Sequence, residues 1–145
     1  MKIERVQSLE ILRRCSPILV KAYNGEPWND SWTEEKAFEK LSCFFNSPKF
    51  IGWVATEGDK ILGCCVGNIE PYFTGDYFYL KEMFVSPDSQ RKGVGAEIMK
   101  AVKTHLETID IKTVILFTSN AAFPFEFYKK HSFNQMENMC MMHLG

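Results

Sequence analysis

Tyr77-Phe78-Tyr79-Leu80-Lys81-Glu82-Met83-Phe84-Val85 runs directly into Ser86-Pro87-Asp88-Ser89-Gln90-Arg91-Lys92-Gly93-Val94-Gly95-Ala96, and this junction decides the fold. The first stretch is rich in aromatic and apolar residues and reads as a strand. The second is followed by a helical pattern, with Ile98, Ala101, Val102, Leu106 and Ile109 on one face. A strand, a glycine turn and a helix in that order aim free backbone N–H groups at one point. The first helical turn has no internal acceptors for them, and its dipole adds partial positive charge. Arg91 and Lys92 add full charges, and Gly93 and Gly95 remove Cβ atoms that would hold a phosphate away. The loop therefore reads as a pyrophosphate site. A plain connecting turn is the competing reading. The dinucleotide pattern G-x-G-x-x-G fails at Ile98, and no G-x-x-x-x-G-K-[ST] occurs. What fits is [Q/R]-x-x-G-x-[G/A], as Gln90-Arg91-Lys92-Gly93-Val94-Gly95.

Further along, the apolar run Val114-Ile115-Leu116-Phe117 precedes Phe127-Tyr128-Lys129-Lys130-His131-Ser132-Phe133. The order and spacing of these segments, across roughly Phe78 to Phe133, resemble the GNAT superfamily of acyl-CoA-dependent N-acyltransferases. There the glycine loop is followed by a strand, a helix carrying F-Y-x-K-x-G-F, and a final strand. Four positions depart from that pattern. Ser132 stands in place of glycine and His131 in place of leucine. Pro124 replaces a common alanine. The asparagine seven residues before the tyrosine falls on Ala121, with Asn120 one place early.

The resemblance implies a single domain over residues 1–145 of α/β (mixed α+β) class. Its central twisted sheet would be mostly antiparallel with about six to seven strands, helices on both faces, and a splayed strand pair at the cofactor site. It implies acetyl-CoA as co-substrate. Met83, Phe84 and Val85 would hold the pantetheine arm through their backbone. Gln90, Arg91, Lys92, Gly93, Val94, Gly95 and Ala96 would take the pyrophosphate, with Asn120 as a further contact. Tyr128 is the implied acid for the departing thiolate; an aromatic with a half-wet hydroxyl is the plainer alternative.

Glu82 is the candidate base. Strand alternation puts it on one face with Phe78, Leu80 and Phe84, where a carboxylate needs a partner or a task. A salt bridge to Lys81 or to a lysine of another strand is the competing explanation, and Glu70, Asp76 and Glu126 are alternative bases. The strand Thr113-Val114-Ile115-Leu116-Phe117 carries no carboxylate, which weighs against the ribosomal-protein N-terminal acetyltransferase branch. The loop Asn24-Gly25-Glu26-Pro27-Trp28-Asn29-Asp30-Ser31-Trp32 would face the acceptor, with Glu26, Trp28 and Asp30 as its contacts. Carboxylates attract an ammonium, and indole faces bind cations and sugar rings. The expected acceptor is a small amine, polyamine or aminosugar, or else a protein amine. A non-catalytic acyl-CoA sensor is the alternative function.

Composition bounds the rest. A chain of 145 residues, 46% hydrophobic and 24% charged, supports one folded core and argues against disorder. The net charge of −1 argues against nucleic acid as partner. No apolar run approaches the ~20 residues of a membrane span, and the N-terminus lacks a signal-peptide pattern. Five cysteines, with Cys64 and Cys65 adjacent, favour reduced thiols and a cytoplasmic location, and no cluster suggests a metal. His105 falls on a helix and His131 near a helix end, where a cation suits the dipole.

The element pattern runs as a strand over residues 2–6, a kinked or broken helix over 8–23 containing Pro17, and a helix from Thr33 with Phe38, Leu41, Phe44 and Phe45 inward. Strands follow at 50–56 and 60–68 around the turn Glu57-Gly58-Asp59. After the glycine loop and its helix come a strand at 112–118, a helix at 121–131 and a closing strand at 133–143. Met136, Met139, Met141 and Met142 would pack that closing strand or a homodimer contact.

Overall fold

A computed structural model describes all 145 residues. Strand β1 (Lys2–Arg5) leads into helix α1 (Leu9–Asn24), which Ser8 caps by accepting the Ile11 N–H at 3.4 Å. Helix α2 (Glu34–Phe45) is capped in the same way by Thr33, which accepts from Lys36 N–H at 3.1 Å. Strands β2 (Phe50–Glu57), β3 (Lys60–Glu70) and β4 (Tyr77–Val85) follow, then a 3-10 turn at Pro87–Ser89 and helix α3 (Val94–Thr108). Strand β5 (Thr113–Ile115) and helix α4 (Phe123–Lys130) complete the chain.

The sheet order is β1-β2-β3-β4-β5, antiparallel throughout except for the parallel pair β4 and β5. One apolar layer lies between the sheet and α1 and α2, around Leu12, Leu19, Leu41, Val54 and Phe84. The other lies under α3, around Trp53, Phe78, Leu80, Ile98, Met99 and Val102. Each large side chain sealed there contributes roughly 1.5–3 kcal/mol. No helix is long and apolar enough to cross a membrane.

The predicted architecture holds, with a sheet of five strands in place of six or seven. Residues 133–143 form no strand: a turn at Glu137-Asn138 interrupts the alternation, so no ladder can run through it. Met136, Met139, Met141 and Met142 are accordingly exposed and pack no closing strand. Strand β5 is also shorter than 112–118. It pairs with β4 only from Tyr77↔Thr113 to Tyr79↔Ile115. Pro17 does not break α1, because Cys15 and Leu19 on either side of it are fully buried against the sheet. Ile109 caps α3 at 45% exposure, and Met99 takes its place in the core.

The largest departure lies inside β4. The register runs Val66↔Glu82 and then Gly67↔Leu80, so Lys81 is an extra residue in a bulge. An extra residue reverses the alternation. Phe78 and Leu80 enter the layer under α3, whereas Phe84 enters the layer under α1 and α2. Glu82 thus shares a face with Phe84 but not with Phe78 and Leu80.

Candidate active site

Beyond Tyr79 the outer edge of β4 has no strand beside it, because β5 ends at Ile115. Ser86 N–H bonds to Leu62 O at 2.8 Å on the inner side. Antiparallel alternation then turns Phe84 toward Cys64, and turns the backbone groups of Met83 and Val85 to the open edge. Two of those groups are already engaged. Val85 O accepts from Gln90 Nε2 at 3.1 Å, and Met83 O from the Tyr23 hydroxyl at 3.2 Å. A cavity of about 580 Å³ runs along this edge to the start of α3.

The loop at its far end is built for free N–H groups. Arg91 and Gly93 take left-handed backbone angles, φ 63° and 84°, which turn the chain sharply into α3. Gly93 is required by that conformation, since a Cβ there would meet nothing within 4 Å. Gly95 also meets a packing constraint. A Cβ there would stand 3.0 Å from the Phe127 ring, so this glycine lets α4 approach α3. Glu97 N–H is the first to bond along the helix, to Gly93 O at 3.0 Å. The N–H groups of Val94, Gly95 and Ala96 are left without helical acceptors.

A second cavity, of about 280 Å³, adjoins the first. Tyr23, Trp28, Met83, Pro124 and Tyr128 line both. Glu82 lies in the smaller one. Its Oε2 accepts from the Tyr23 hydroxyl at 2.6 Å, and its Oε1 stands 3.2 Å from Lys40 Nζ. Burial first, and then Glu82, push the Tyr23 hydroxyl well above the usual tyrosine range, so it remains a donor. Trp32 is fixed at the rim by three hydrogen bonds. Its backbone N–H meets Asn24 Oδ1 at 2.7 Å, its carbonyl meets Asn24 Nδ2 at 3.0 Å, and its indole N–H meets Asp30 Oδ2 at 3.0 Å. The lysine that pairs with Glu82 comes from α2, neither Lys81 nor a lysine of a neighbouring strand. Lys81 instead lies over the Tyr79 ring, 3.4 Å from its centroid.

Tyr128 stands where the two cavities meet. Its ring packs edge-on against Phe127 and Phe133, with centroids 5.3 and 5.4 Å apart. The hydroxyl has no partner in the protein, yet it is not sealed in: the only fully buried side-chain polar atom without a partner is Ser42 Oγ. Burial pushes its pKa up, with smaller contributions from Cys65 and Glu82. A raised pKa keeps the O–H protonated through the working range, as an acid requires. If Tyr128 is the acid, its loss of a proton cannot limit turnover below the ordinary tyrosine value of about 10. The maximal rate should hold on the alkaline side up to that pH. A fall centred well below it in the pH–rate profile would assign the acid to another group.

The structure brings Met83, Phe84, Val85, Gln90, Arg91, Gly93, Val94, Gly95 and Ala96 together around the larger cavity, which Glu26 also lines. It brings Glu82, Trp28 and Asp30 together around the smaller. Lys92 lines neither, and Asn120 is exposed in the turn before α4. Tyr23 and Lys40 escaped the sequence reading. Tyr23 counts as one more apolar position on α1, and Lys40 as one more charge on the wet side of α2. His131 lines the larger cavity, but burial and then Lys103 lower its pKa; burial and then Arg5 do the same at His105. The lowered value disfavours the helix-end cation that the position of His131 implied. Cys64 and Cys65 are fully buried with their pKa values raised, chiefly by the Cys15 thiol at Cys64 and by burial at Cys65, so neither is poised as a nucleophile.

Comparison with known proteins follows the same lines. The acetyltransferase (GNAT) family model matches residues 9–133. No curated protein matches the sequence. An aminoglycoside acetyltransferase from an uncultured soil metagenomic sample, in complex with sisomicin, has the same fold. Its TM-score is 0.80 at 17% identity, over 99% of this chain and 95% of that one. A protein from Clostridium acetobutylicum described as a predicted acetyltransferase, solved with acetyl-CoA, gives 0.71 at 15% identity, over 98% and 95% of the two chains. A transcriptional regulator from Bacillus halodurans C-125 gives 0.78 at 13% identity, over 99% of each. At these identities the likeness is one of fold.

Proposed function

The chain belongs to the GNAT acetyltransferase family, and from that premise we propose that it moves an acetyl group from acetyl-CoA to a primary amine of a small molecule, an aminosugar or polyamine. The observation that carries this reading is the junction of two cavities at Tyr128 and Met83. The larger suits the cofactor and the smaller suits an amine. Met83 and Val85 offer backbone groups to a pantetheine arm as an added strand would. The α3 N-terminus and Arg91 suit the pyrophosphate. Acetyl-CoA bound there would supply a thioester carbonyl open to attack by an amine.

The chain's own residues then divide the work. Glu82 accepts the proton of the incoming ammonium, directly or through water, while the Tyr23 hydroxyl fixes the orientation of its carboxylate. Tyr128 gives its proton to the departing thiolate. Trp28 and the rim residue Trp32 offer ring faces to a sugar or a cation, and Asp30 offers a second carboxylate. A volume of about 280 Å³ favours a small acceptor over a protein segment. An aminoglycoside acetyltransferase of this fold, solved with trehalose and with sisomicin, supports the sugar class. The five cysteines are all unpaired, which supports a reducing, cytoplasmic setting.

Calorimetric titration with acetyl-CoA and with acetyl-pantetheine tests the cofactor site. Acetyl-CoA should bind in the micromolar range, and loss of the nucleotide should weaken binding at least about tenfold, since each charge-assisted hydrogen bond contributes roughly 1.5–3 kcal/mol. Equal binding of the two would remove the Gln90–Ala96 loop from the site. No binding of either would end the cofactor assignment.

A further inference from the structure

Lys40 stands in the acceptor cavity with its ammonium beside the carboxylate assigned as base. Its Nζ is 3.2 Å from Glu82 Oε1, and the two side chains are 39% and 13% exposed. The same ammonium lies 5.3 Å from the centre of the Trp32 ring. A carboxylate and an indole face are the two partners that an acceptor ammonium needs there, and the chain already fills both with an amine of its own. Lys40 and Tyr128 also line one cavity, so no wall separates this amine from the acid. We propose that Lys40 is a self-acetylation site, modified by the enzyme's own acetyl-CoA when no free amine occupies the cavity. The inference rests on the acetyltransferase reading above.

The chemistry balances without a further reactant. The Lys40 ammonium passes a proton to the Glu82 carboxylate. Its nitrogen forms a bond to the thioester carbonyl carbon and gives up a second proton to solvent as the carbon–sulfur bond breaks. The thiolate takes its proton from Tyr128, which regains one from solvent or from the Glu82 carboxyl group. The product is an N-acetyl-lysine inside the acceptor cavity, no longer charged and no longer paired with Glu82. A second lysine in the cavity serves as an internal comparison. Lys81 lies over the Tyr79 ring and forms no ion pair with a carboxylate, so it lacks the base.

Incubation of the full chain with acetyl-CoA alone, followed by peptide-mapping mass spectrometry over time, decides the matter. Lys40 should be acetylated at least about tenfold faster than Lys81 and the exposed Lys2. The preference should vanish in protein unfolded with urea. Lys40→Arg should abolish the signal, and Glu82→Gln should slow it about a hundredfold. Adding spermidine or glucosamine as a free amine should suppress it in proportion to that amine's own turnover. Lys40 modified no faster than Lys2 would overturn the proposal. If Lys40 stays unmodified while a free amine is acetylated, self-acetylation alone fails; if neither reaction occurs, both readings fail.

Discussion

Replacing Tyr128 with phenylalanine should lower the maximal rate about a hundredfold or more while leaving acetyl-CoA affinity nearly unchanged. The magnitude is that of a positioned general acid. The affinity holds because the groups assigned to the cofactor are Arg91 and backbone atoms of Met83, Val85 and the start of α3, none of which the substitution touches. The fold should hold as well. Phenylalanine keeps the edge-on contacts to Phe127 and Phe133, and the lost hydroxyl has no protein partner to orphan. Steady-state kinetics beside calorimetry and thermal melting separate these effects. An unaltered maximal rate takes Tyr128 out of the mechanism, and an altered melting temperature shows that the hydroxyl has a structural role.

Gly67→Ala should cost several kcal/mol of stability, about 3 to 5 for a backbone clash in a packed core. A Cβ at this position would overlap the Tyr79 carbonyl oxygen and stand 2.7 and 2.8 Å from two carbons of the Phe78 ring. Neither obstacle can yield cheaply. The first is backbone within the β3–β4 ladder, and the second is a ring with no exposure at all. The clash falls beside the bulge, so the pairing must open where it matters for Glu82. Gly58→Ala is the control. Its surroundings are open and only its left-handed backbone, φ 59°, resists a side chain, at roughly 1 kcal/mol. Urea unfolding should show a much lower midpoint for Gly67→Ala than for Gly58→Ala. Similar midpoints would mean that β3 and β4 do not approach so closely at Gly67.

What the sequence made legible follows the range of the forces involved. The glycine loop and its flanking strand and helix are local: backbone angle, free N–H groups and apolar period are all written within a few turns of chain. The chemistry of Trp28 and Asp30, which line the smaller cavity, was legible because an indole and a carboxylate carry their preferences anywhere. The bond from Tyr23 to Glu82 spans 59 positions and has no local mark. The ion pair from Lys40 likewise joins α2 to β4, elements far apart in the chain. The closing strand at 133–143 failed for the complementary reason. Its alternating methionines look like a strand, but Glu137-Asn138 turns and interrupts the ladder. The facing of Glu82 depended on one inserted residue that no propensity reveals.

That inserted residue lets one strand serve two layers. With Lys81 looped out, Phe78 and Leu80 face α3 while Glu82 shares the opposite face with Phe84. The same sequence paired without the bulge would put Leu80 and Glu82 on one face, because side chains alternate with a period of two. Either Leu80 would leave the layer under α3, or the carboxylate would turn toward α3 and away from the smaller cavity. Deleting Lys81, by contrast, would restore regular pairing with Glu82 still opposite Val66. Two relatives aligned motif to motif therefore present corresponding residues here only if their bulges correspond as well.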